Sequence, residues 1–287
     1  MNMQMLVNGV LLGGLYALMG LGFSLQWGIS GIVNLSYGAM VILGCYISLE
    51  CYSLLHLSPF ISIIISGAIL YALGALIYRT VLQRIVRGGI VFTLILTYAV
   101  RLIIENGLLR VWSADYRTIS LSYAGDNFQF AGTVVPLVKS LVFVVVTLLV
   151  YVTYCFMLKT KTGKGIQAVA LDREGAEAVG ISVEKMYLIN FALGTALAGI
   201  AGSLWASVYA FSPDSMNMIA GKVFVIAIIG GLGNIWGAAA GGLLLGLAET
   251  VGATLIGSQW QEVIGMAIMV IVLVWRPYGL MGKKFFG

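Results

Sequence analysis

The sequence predicts an all-α bundle of membrane-spanning helices, and three observations support this fold class. Hydrophobic residues make up 60% of the 287 positions and charged residues only 9%, against ~25% charged in an average soluble domain. The apolar residues form long uncharged blocks, such as 51–78, 140–158 and 186–213, and ~20 such residues cross a bilayer as a helix. The blocks lack the alternation of barrel strands, so we expect helices that satisfy their own backbone hydrogen bonds.

Taken in chain order, the apolar blocks predict about eight or nine spans within a single transmembrane domain, 1–287. The expected spans are 5–26, 35–55, 59–78, 89–110, 135–158, 189–210, 222–234, 237–256 and 260–275. The segment 222–234 is short for a full crossing, so we expect it to form a hairpin or a broken helix with 237–256. No basic region precedes the first span, which is therefore expected to be retained rather than cleaved as a signal peptide.

Basic residues are concentrated in three regions between or after the spans, and this predicts the orientation in the membrane. The positive-inside rule assigns all three regions to the cytoplasm and, with three spans before the first, the N-terminus to the outside. The three regions are Arg79, Arg84 and Arg87; Lys159, Lys161 and Lys164; and Arg276, Lys283 and Lys284.

The connection 159–188 is the longest on the expected cytoplasmic side, and it carries charges of both signs. Four charged residues at 172–174 and 177 lie close to Ile166, Val169 and Val179, a pattern that predicts a short amphipathic helix. Such a helix needs cover for its apolar side. The residues leave two covers open, the lipid surface and a soluble partner protein.

Glycines recur at intervals of four residues, which predicts close contact between membrane helices. The spaced glycines are Gly9 with Gly13; Gly233, Gly237 and Gly241; and Gly242 with Gly246. A second interpretation is that glycines break helices at a substrate site near the midplane. It is favoured by a short likeness between 34–39 and 234–239, each with an asparagine a few residues before Gly-Ala, although chance would also explain so short a likeness.

Few ionisable residues lie within the expected spans. Arg101 and Glu105 are one helical turn apart and are predicted to neutralise each other. Glu249 lies midway along its span and is expected to face the bundle interior, with no partner nearby in sequence. Lys139 and Lys222 lie near the starts of spans and are expected to extend to the membrane interface.

The chain contains no recognisable catalytic motif. HExxH, GxSxG and the Walker A motif are absent, so any ATP that drives this protein must be hydrolysed by another chain. One histidine and three scattered cysteines show no metal-binding spacing, and the basic residues form no stripe for nucleic acid. We therefore expect no enzyme activity, cofactor, metal or nucleic-acid partner.

Five segments spread over nearly the whole chain are specific when taken together. They read NGVLLGGLYALMG at 8–20, GIVNLSYGAMVILG at 31–44, INFALGTALAGIAG at 189–202, KVFVIAIIGGLGNIWGAAAGGLLLGL at 222–247 and WRPYGLMG at 275–282. All five resemble parts of one family. The segment 8–20 resembles its first span, 31–44 its Asn-Phe-Ala-His-Gly segment, 189–202 and 222–247 its late spans, and 275–282 its Arg-Pro-x-Gly-Leu ending. That family is the permeases of branched-chain amino-acid ABC importers, in particular the shorter of the two paralogous permeases.

The resemblance implies a permease subunit that forms the pathway for branched-chain or related amino acids. It also implies three kinds of protein partner: two ABC ATPase subunits, a periplasmic or extracellular solute-binding protein, and a second permease, paralogous or identical. The implied location is the plasma membrane of a prokaryote, which is the inner membrane in a Gram-negative cell, with lipid around the spans.

The resemblance also assigns a role to the connection 159–188. ABC importer permeases dock on the ATPase through a Glu-Ala-Ala-x3-Gly element, and this chain reads Glu-Gly-Ala at 174–176 with a glycine at 180. Gly175 departs from the family pattern. The residues implied to couple the permease to the ATPase are Asp172, Arg173, Glu174, Ala176, Glu177 and Gly180.

The resemblance at 34–39, together with the likeness between 34–39 and 234–239, leads us to expect five residues to line the translocation path: Asn34, Ser36, Tyr37, Gly38 and Asn234. The family's histidine and acidic residue are replaced here by Tyr37 and Ala39, which leaves urea, short amides or other amino acids as alternative substrates. A stand-alone secondary transporter is a further alternative, with only Glu249 and the Arg101–Glu105 pair in its favour. An intramembrane enzyme would need a nucleophile–base pair, which the sequence lacks.

Overall fold

The computed structural model describes residues 3–85, 89–121, 123, 125–130 and 132–282. In chain order its helices are α1 (Met3–Ser30), α2 (Tyr37–Leu55), α3 (Pro59–Ile77), α4 (Gln83–Ile85), α5 (Ile90–Trp112), α6 (Leu137–Lys159), α7 (Lys161–Leu171), α8 (Arg173–Ala178), α9 (Val183–Ala206), α10 (Ser215–Gly230), α11 (Ile235–Leu255) and α12 (Gln261–Trp275). A π-helical turn, Tyr78–Leu82, joins α3 to α4, and a 3₁₀ turn, Ser258–Trp260, precedes α12.

Within these ranges, eight helical segments are long and apolar enough to cross a membrane, and α10 is a shorter apolar helix. This confirms the predicted polytopic all-α bundle. The 16 residues of α10 extend roughly 24 Å at ~1.5 Å per residue, slightly less than the ~30 Å hydrocarbon core of a bilayer. In the centre of the bundle lie α1 and α9, whereas α5 and α12 lie on its periphery.

Helices α1 and α11 are in direct backbone contact along the predicted glycine pattern. A Cβ atom added to Gly9 would lie 2.9 Å from the Cα of Leu247, and one added to Gly13 would lie 2.7 Å from the Cα of Leu243. On the other side of this contact, Gly246 packs against the backbone of Gly13. The glycine repeats are thus confirmed as helix-packing positions, where small residues allow close approach.

A second close contact joins α2, α3 and α9. A Cβ atom added to Gly44 would lie 2.5 Å from the carbonyl oxygen of Gly199. Beside this contact the hydroxyls of Ser66 and Ser203 are 2.7 Å apart. Small residues and interhelical hydrogen bonds usually stabilise the association of membrane helices, because the hydrophobic effect contributes little to it within lipid.

The described residues of the three predicted basic regions lie at one end of the bundle, here called the basic end, which comprises 79–85, 159–182, 231–234 and 276–282. The Gln83 amide donates to Glu184 (2.9 Å), and the Asn234 amide donates to the Met281 carbonyl (2.7 Å). These bonds connect the surroundings of Arg79, Lys159 and Arg276, in agreement with the parity of the predicted spans. Of the predicted basic residues, 87, 283 and 284 lie outside the described residues.

The opposite end, the hairpin end, carries a small antiparallel sheet that the sequence did not indicate. Strands β1 (Asn127–Phe130) and β2 (Thr133–Pro136) pair with Phe128 opposite Val135. The Tyr52 hydroxyl donates to the Ser120 carbonyl (2.6 Å), and Arg117 pairs through its backbone with Phe211. The predicted span 135–158 therefore begins later, at 137, because its first two residues belong to β2.

Three other predicted helices have a boundary that is wrong by a turn or more, and the first of them, expected to end at 26, ends at Ser30. The helix expected at 222–234 begins at Ser215, seven residues earlier, and ends at Gly230. It packs closely on α11, as the predicted hairpin requires, with Gly241 against Gly230. The helix expected at 189–210 begins at Val183 because Ser182 caps it, accepting a hydrogen bond from the Lys185 N–H (3.4 Å).

Candidate functional site

The connection between α1 and α2 is a non-helical segment enclosed by the bundle. Helix α1 ends before Gly31, whose φ of +65° reverses the chain direction. The chain then returns along the last turns of α1, so that α2 begins at Tyr37 beside Phe23, with ring centroids 5.5 Å apart. Residues 32–34 and 36 are buried. The first turn of α2 therefore lies inside the bundle, in agreement with the predicted helix break.

Side-chain amides hold this segment in place. The Asn34 amide donates to the Gln26 side-chain oxygen (3.0 Å), and the Gln26 amide donates to the Phe191 carbonyl (2.8 Å) and the Thr195 hydroxyl (3.0 Å). The Asn34 oxygen accepts from both the N–H (3.0 Å) and the hydroxyl (2.6 Å) of Ser36. Since unpaired polar groups are costly at membrane depth, this network explains how an irregular backbone is tolerated here.

Helix α5 supplies the remaining backbone partners of the segment. The Thr97 hydroxyl donates to the Val33 carbonyl (3.1 Å) and accepts from the Leu35 N–H (3.2 Å). Thr97 is buried although most of α5 is exposed. The broken segment is therefore fixed by α1, α5 and α9 together, and movement of any of these helices would disturb it.

The structure brings together four of the five residues predicted to line the path. Asn34, Ser36, Tyr37 and Gly38 are consecutive around the start of α2, and all four are buried. Gly38 packs against the backbone carbonyl of Met216, so α2 and α10 touch at this point. The Tyr37 hydroxyl is buried, and no described residue forms a hydrogen bond with it. In this conformation the four residues form a closed contact between helices.

Asn234, the fifth predicted path residue, lies apart from these four at the basic end. Its side-chain oxygen accepts from the Gly237 N–H (3.1 Å) and caps α11. It also lines a cavity of about 360 Å³ beside Gly28, Gln167 and Trp236. Asn34 and Asn234 share the role of accepting backbone hydrogen bonds before a helix, but they serve different regions of the protein.

A buried ion pair joins α10 to α11. The Lys222 ammonium lies 2.6 Å from both carboxylate oxygens of Glu249, which also accepts a hydrogen bond from the Tyr16 hydroxyl (2.8 Å). Lys222 and Glu249 are only 9% and 1% exposed. The prediction that Lys222 extends to the membrane interface is wrong, because its partner lies inside the bundle. Sequence reasoning found Glu249 but missed its partner.

The ion pair lies on the wall of a cavity of about 350 Å³, here called the pair cavity. It is enclosed by α10, α11, α12 and the residue before α10. Its lining residues are Asp214, Asn217, Met218, Gly221, Lys222, Val225, Leu245, Glu249, Glu262, Gly265 and Met266. The cavity thus combines both charges of the pair, two further carboxylates (Asp214 and Glu262) and aliphatic walls.

Aromatic residues surround the ion pair on the side away from the cavity. The Tyr16 ring lies 5.1 Å from the Lys222 ammonium and stacks on Trp205, which in turn contacts Tyr209. Burial, and secondly the nearby Glu249 carboxylate, raises the pKa of Tyr209 to about 12, so this hydroxyl stays protonated at neutral pH. Lys139, expected to reach the interface, lies 5.7 Å above the Tyr209 ring.

The predicted Arg101–Glu105 pair is confirmed, with 3.6 Å between the Arg101 Nε and a carboxylate oxygen of Glu105. Arg101 also donates to the side-chain oxygen of Asn217 on α10. Asn217 in turn lines the pair cavity. A chain of polar contacts therefore runs from the periphery of α5 to the edge of the pair cavity.

The predicted coupling residues lie on a two-helix projection at the basic end. One amphipathic helix was expected, but the structure contains two, because Asp172 ends α7 and its carboxylate accepts from the Gly175 N–H (3.0 Å) to cap α8. Arg173 and Glu177 form an ion pair of 3.8 Å on the surface of α8. Gly180, with a φ of +84°, reverses the chain towards α9.

The apolar residues of the projection divide into a buried set and an exposed set. Val169 and Ala176 pack with Val183 in a small core, so α8 is held firmly against α7 and α9. In contrast, Leu171 is 76% exposed and Val179 is 75% exposed. The prediction that Ile166, Val169 and Val179 share one apolar side is wrong for Val179, which lies on the exposed surface.

Among the described residues, no three histidine, cysteine, aspartate or glutamate side chains lie close enough together to hold a metal ion. The site therefore consists of a buried amide network, an ion pair beside a cavity, and an exposed projection at the basic end.

The chain is similar to known proteins over nearly its whole length. The family model described as branched-chain amino acid transport system / permease component matches residues 5–273. A high-affinity branched-chain amino acid transport system permease protein, BraD of Pseudomonas aeruginosa, is 31% identical over 300 residues, which cover 98% of this chain and 96% of BraD. A probable branched-chain amino acid transport permease protein, LivH of Methanocaldococcus jannaschii, is 30% identical and covers 97% of this chain and 92% of its own length.

Two further comparisons are more distant. The Escherichia coli permease protein LivM is 25% identical, over 93% of this chain and 68% of LivM. Among solved structures, PsaBC from Streptococcus pneumoniae in complex with Fab aligns with a TM-score of 0.49 at 12% identity, over 94% of this chain and 90% of the other.

Proposed function

This chain belongs to the family of branched-chain amino acid transport system permease components, and we propose that it forms one half of an ATP-driven import pathway. It is a multi-pass membrane permease of the ABC importer class. The substrate class that we propose is the branched-chain amino acids, in keeping with the names of BraD and LivH. Those names do not favour urea or short amides, which Tyr37 and Ala39 had left as alternatives.

The observation that carries the proposal is the exposed projection of α7 and α8 at the basic end. Its surface combines the exposed Leu171 and Val179 with the charged Arg173 and Glu174. Apolar anchors within a charged rim are typical of protein–protein interfaces. By the positive-inside rule this end faces the cytoplasm, where ATP is available.

We infer that the projection docks on a cytoplasmic ATPase subunit. The small core of Val169, Ala176 and Val183 makes α8 rigid with respect to α9, one of the two central helices. Movement of a docked ATPase would therefore displace α9 as a rigid body rather than deform the loop. Because α9 holds Gln26 through Phe191 and Thr195, the displacement would reach the broken segment before α2.

The proposed assembly contains two permeases, two ATPase subunits and a solute-binding protein on the outer face. A second permease of the same family is supported by the likeness of this chain to both LivH and LivM of Escherichia coli. The proposed location is the plasma membrane of a prokaryote, with the hairpin end outside. A secondary transporter explains less, since the Arg101–Glu105 and Lys222–Glu249 charges are already paired.

The experiment is uptake of radiolabelled leucine into proteoliposomes that contain the permeases, with and without the ATPase subunits and the binding protein. We expect uptake only when ATPase and ATP are both present. Exchanging the charges of the projection in the variant R173E/E174R should lower leucine uptake per ATP hydrolysed, because the docking surface no longer matches its partner.

The matched control is R173K/E174D, which keeps the sign of both charges at the same two positions and likewise leaves the net charge unchanged. It should transport as the wild type does. Leucine uptake that persists without any ATPase would contradict the proposed function.

A further inference from the structure

We propose that the pair cavity is a transit site for the zwitterionic head of an amino acid, with Lys222 and Glu249 as its two recognition groups. The inference rests on the proposed function, since it names where the permease holds its substrate. It concerns residues on α10 and α11 that are distinct from the predicted path residues at the start of α2.

The charges of the pair are complementary to those of the substrate. An α-amino acid carries a carboxylate and an ammonium group at neutral pH. Lys222 and Glu249 present one ammonium and one carboxylate side by side, 2.6 Å apart, and both line the same cavity. The substrate carboxylate can replace Glu249 on Lys222, while the substrate ammonium takes the Glu249 carboxylate.

This exchange preserves neutrality at every stage. An unpaired charge is costly at membrane depth, and breaking a buried pair by removing one partner is strongly unfavourable. A solute with only an amine or only a carboxylate would leave one protein charge uncompensated. A zwitterion satisfies both charges, so the pair selects for amino acids over amines and carboxylic acids.

The surroundings of the pair fit this role. The Tyr16 hydroxyl, which is not among the residues that line the cavity, donates a hydrogen bond to the Glu249 carboxylate and so orients it without occupying the site. The cavity walls contributed by Val225 and Leu245 are aliphatic. Met218 and Met266 add flexible side chains that adapt to apolar shapes. A branched aliphatic side chain therefore finds apolar contacts beside the charged groups.

The cavity is also accessible from outside the protein. Gly221 lies on its exposed edge, and a Cβ atom added there would meet no other atom within 4 Å. Asp214 and Asn217, on the same side of α10, are exposed as well. The mouth of the pair cavity thus lies at the surface of this chain, beside Gly221.

The first test fills the mouth of the cavity with the variant G221W, which leaves the ion pair intact. Leucine uptake is measured in the complete reconstituted complex with its ATPase and binding protein. We expect uptake to fall roughly tenfold or more, the loss that corresponds to ~1.4 kcal/mol. The control is G107W, since Gly107 on α5 also has no atom within 4 Å of an added Cβ, and it should transport normally. Wild-type uptake by G221W, or equal losses in the two variants, would overturn the proposal.

The second test distinguishes substrate binding by the ion pair from a purely structural role in holding α10 against α11. The double variant K222M/E249L removes both charges and leaves no buried charge unpaired. If the pair binds the zwitterion, uptake per assembled complex stays roughly tenfold or more below the wild type. Wild-type uptake by the double variant would mean that the pair only holds α10 against α11, and it would contradict the proposed transit site. If the double variant does not assemble, leucine uptake by G221W, compared with G107W, decides whether the transit site exists.

The two proposals fail in different ways. A wild-type complex that takes up no leucine, or takes it up without ATPase, contradicts the proposed function. A wild-type complex that transports leucine with ATP, together with a G221W variant that transports equally well, contradicts only the transit site.

Discussion

Gly13 of α1 and Leu243 of α11 are so close that a Cβ atom on Gly13 would lie 2.7 Å from the Leu243 Cα. The neighbouring atom is backbone and cannot move aside as the end of a side chain would. The contact also includes Gly9 and Gly246. It connects the central helix α1 to α11, which carries the buried Glu249.

Replacing Gly13 by alanine should destabilise the protein. The added methyl group would force α1 and α11 apart, and overpacking of this kind costs roughly 1–3 kcal/mol. The control is G107A, because Gly107 faces open space and alanine favours a helix over glycine by ~1 kcal/mol. In thermal unfolding in detergent, G13A should melt below the wild type and G107A at or above it. A melting temperature for G13A equal to that of G107A would mean that the close packing of α1 on α11 does not contribute to the stability of the protein.

The amide network beneath α2 predicts that N34A lowers leucine uptake more than S36A. Alanine at position 34 removes the acceptor for the Ser36 N–H and the donor to Gln26, and each buried group left unpaired costs roughly 1–3 kcal/mol. Alanine at position 36 removes the hydroxyl bond to Asn34 and a long contact to the Met40 sulfur. Uptake by reconstituted complexes measures the effect, and assembly with the ATPase should persist in both variants.

The control for the variants N34A and S36A is S48A. Ser48 lies further along α2, and its buried hydroxyl is 2.7 Å from the hydroxyl of Ser62 on α3. The S48A variant should leave uptake unchanged. Normal transport by both N34A and S36A would remove these residues from the translocation path.

The fold class and the helix contacts could be predicted because they depend on local patterns. Apolar runs of ~20 residues specify spans whatever the neighbouring helices are. Glycines four residues apart lie on one helix face, so Gly9 and Gly13 indicate a contact before its partner is known. The pair Arg101–Glu105 was found for the same reason, since its members are one turn apart.

The remaining features depend on contacts between distant parts of the chain. Lys222 and Glu249 are 27 positions apart on different helices, and no periodicity relates them. The sequence did offer a signal, namely one cation and one anion isolated in adjacent apolar segments. The place of Val179 was mispredicted because Asp172 divides the expected helix in two, so a single helical wheel does not describe 159–188.

The ion pair predicts that a variant lacking both charges is more stable than a variant lacking only one. Removing Lys222 alone, in K222M, leaves the Glu249 carboxylate buried without its cation and should cost roughly 3–5 kcal/mol. The double variant K222M/E249L should be more stable than K222M, because two apolar side chains replace two charges. Thermal unfolding of the purified permease in detergent measures both. If the double variant is no more stable than K222M, the two side chains do not compensate each other.

The cap of α8 predicts that coupling is weakened in D172A but not in D172N, because asparagine removes the same exposed charge and still caps a helix. In D172A the Gly175 N–H loses its side-chain acceptor, and loss of such a cap costs about 1 kcal/mol. Helix α8 has only six residues, so fraying of its first turn would loosen the whole docking surface while Ala176 remains in the small core. We therefore expect more ATP hydrolysed per leucine transported, with little change in melting temperature. The control is T160A, which removes the cap of α7 at Gly163 but leaves α8 intact. Equal coupling ratios in D172A and T160A would argue against α8 as the element that transmits ATPase movement.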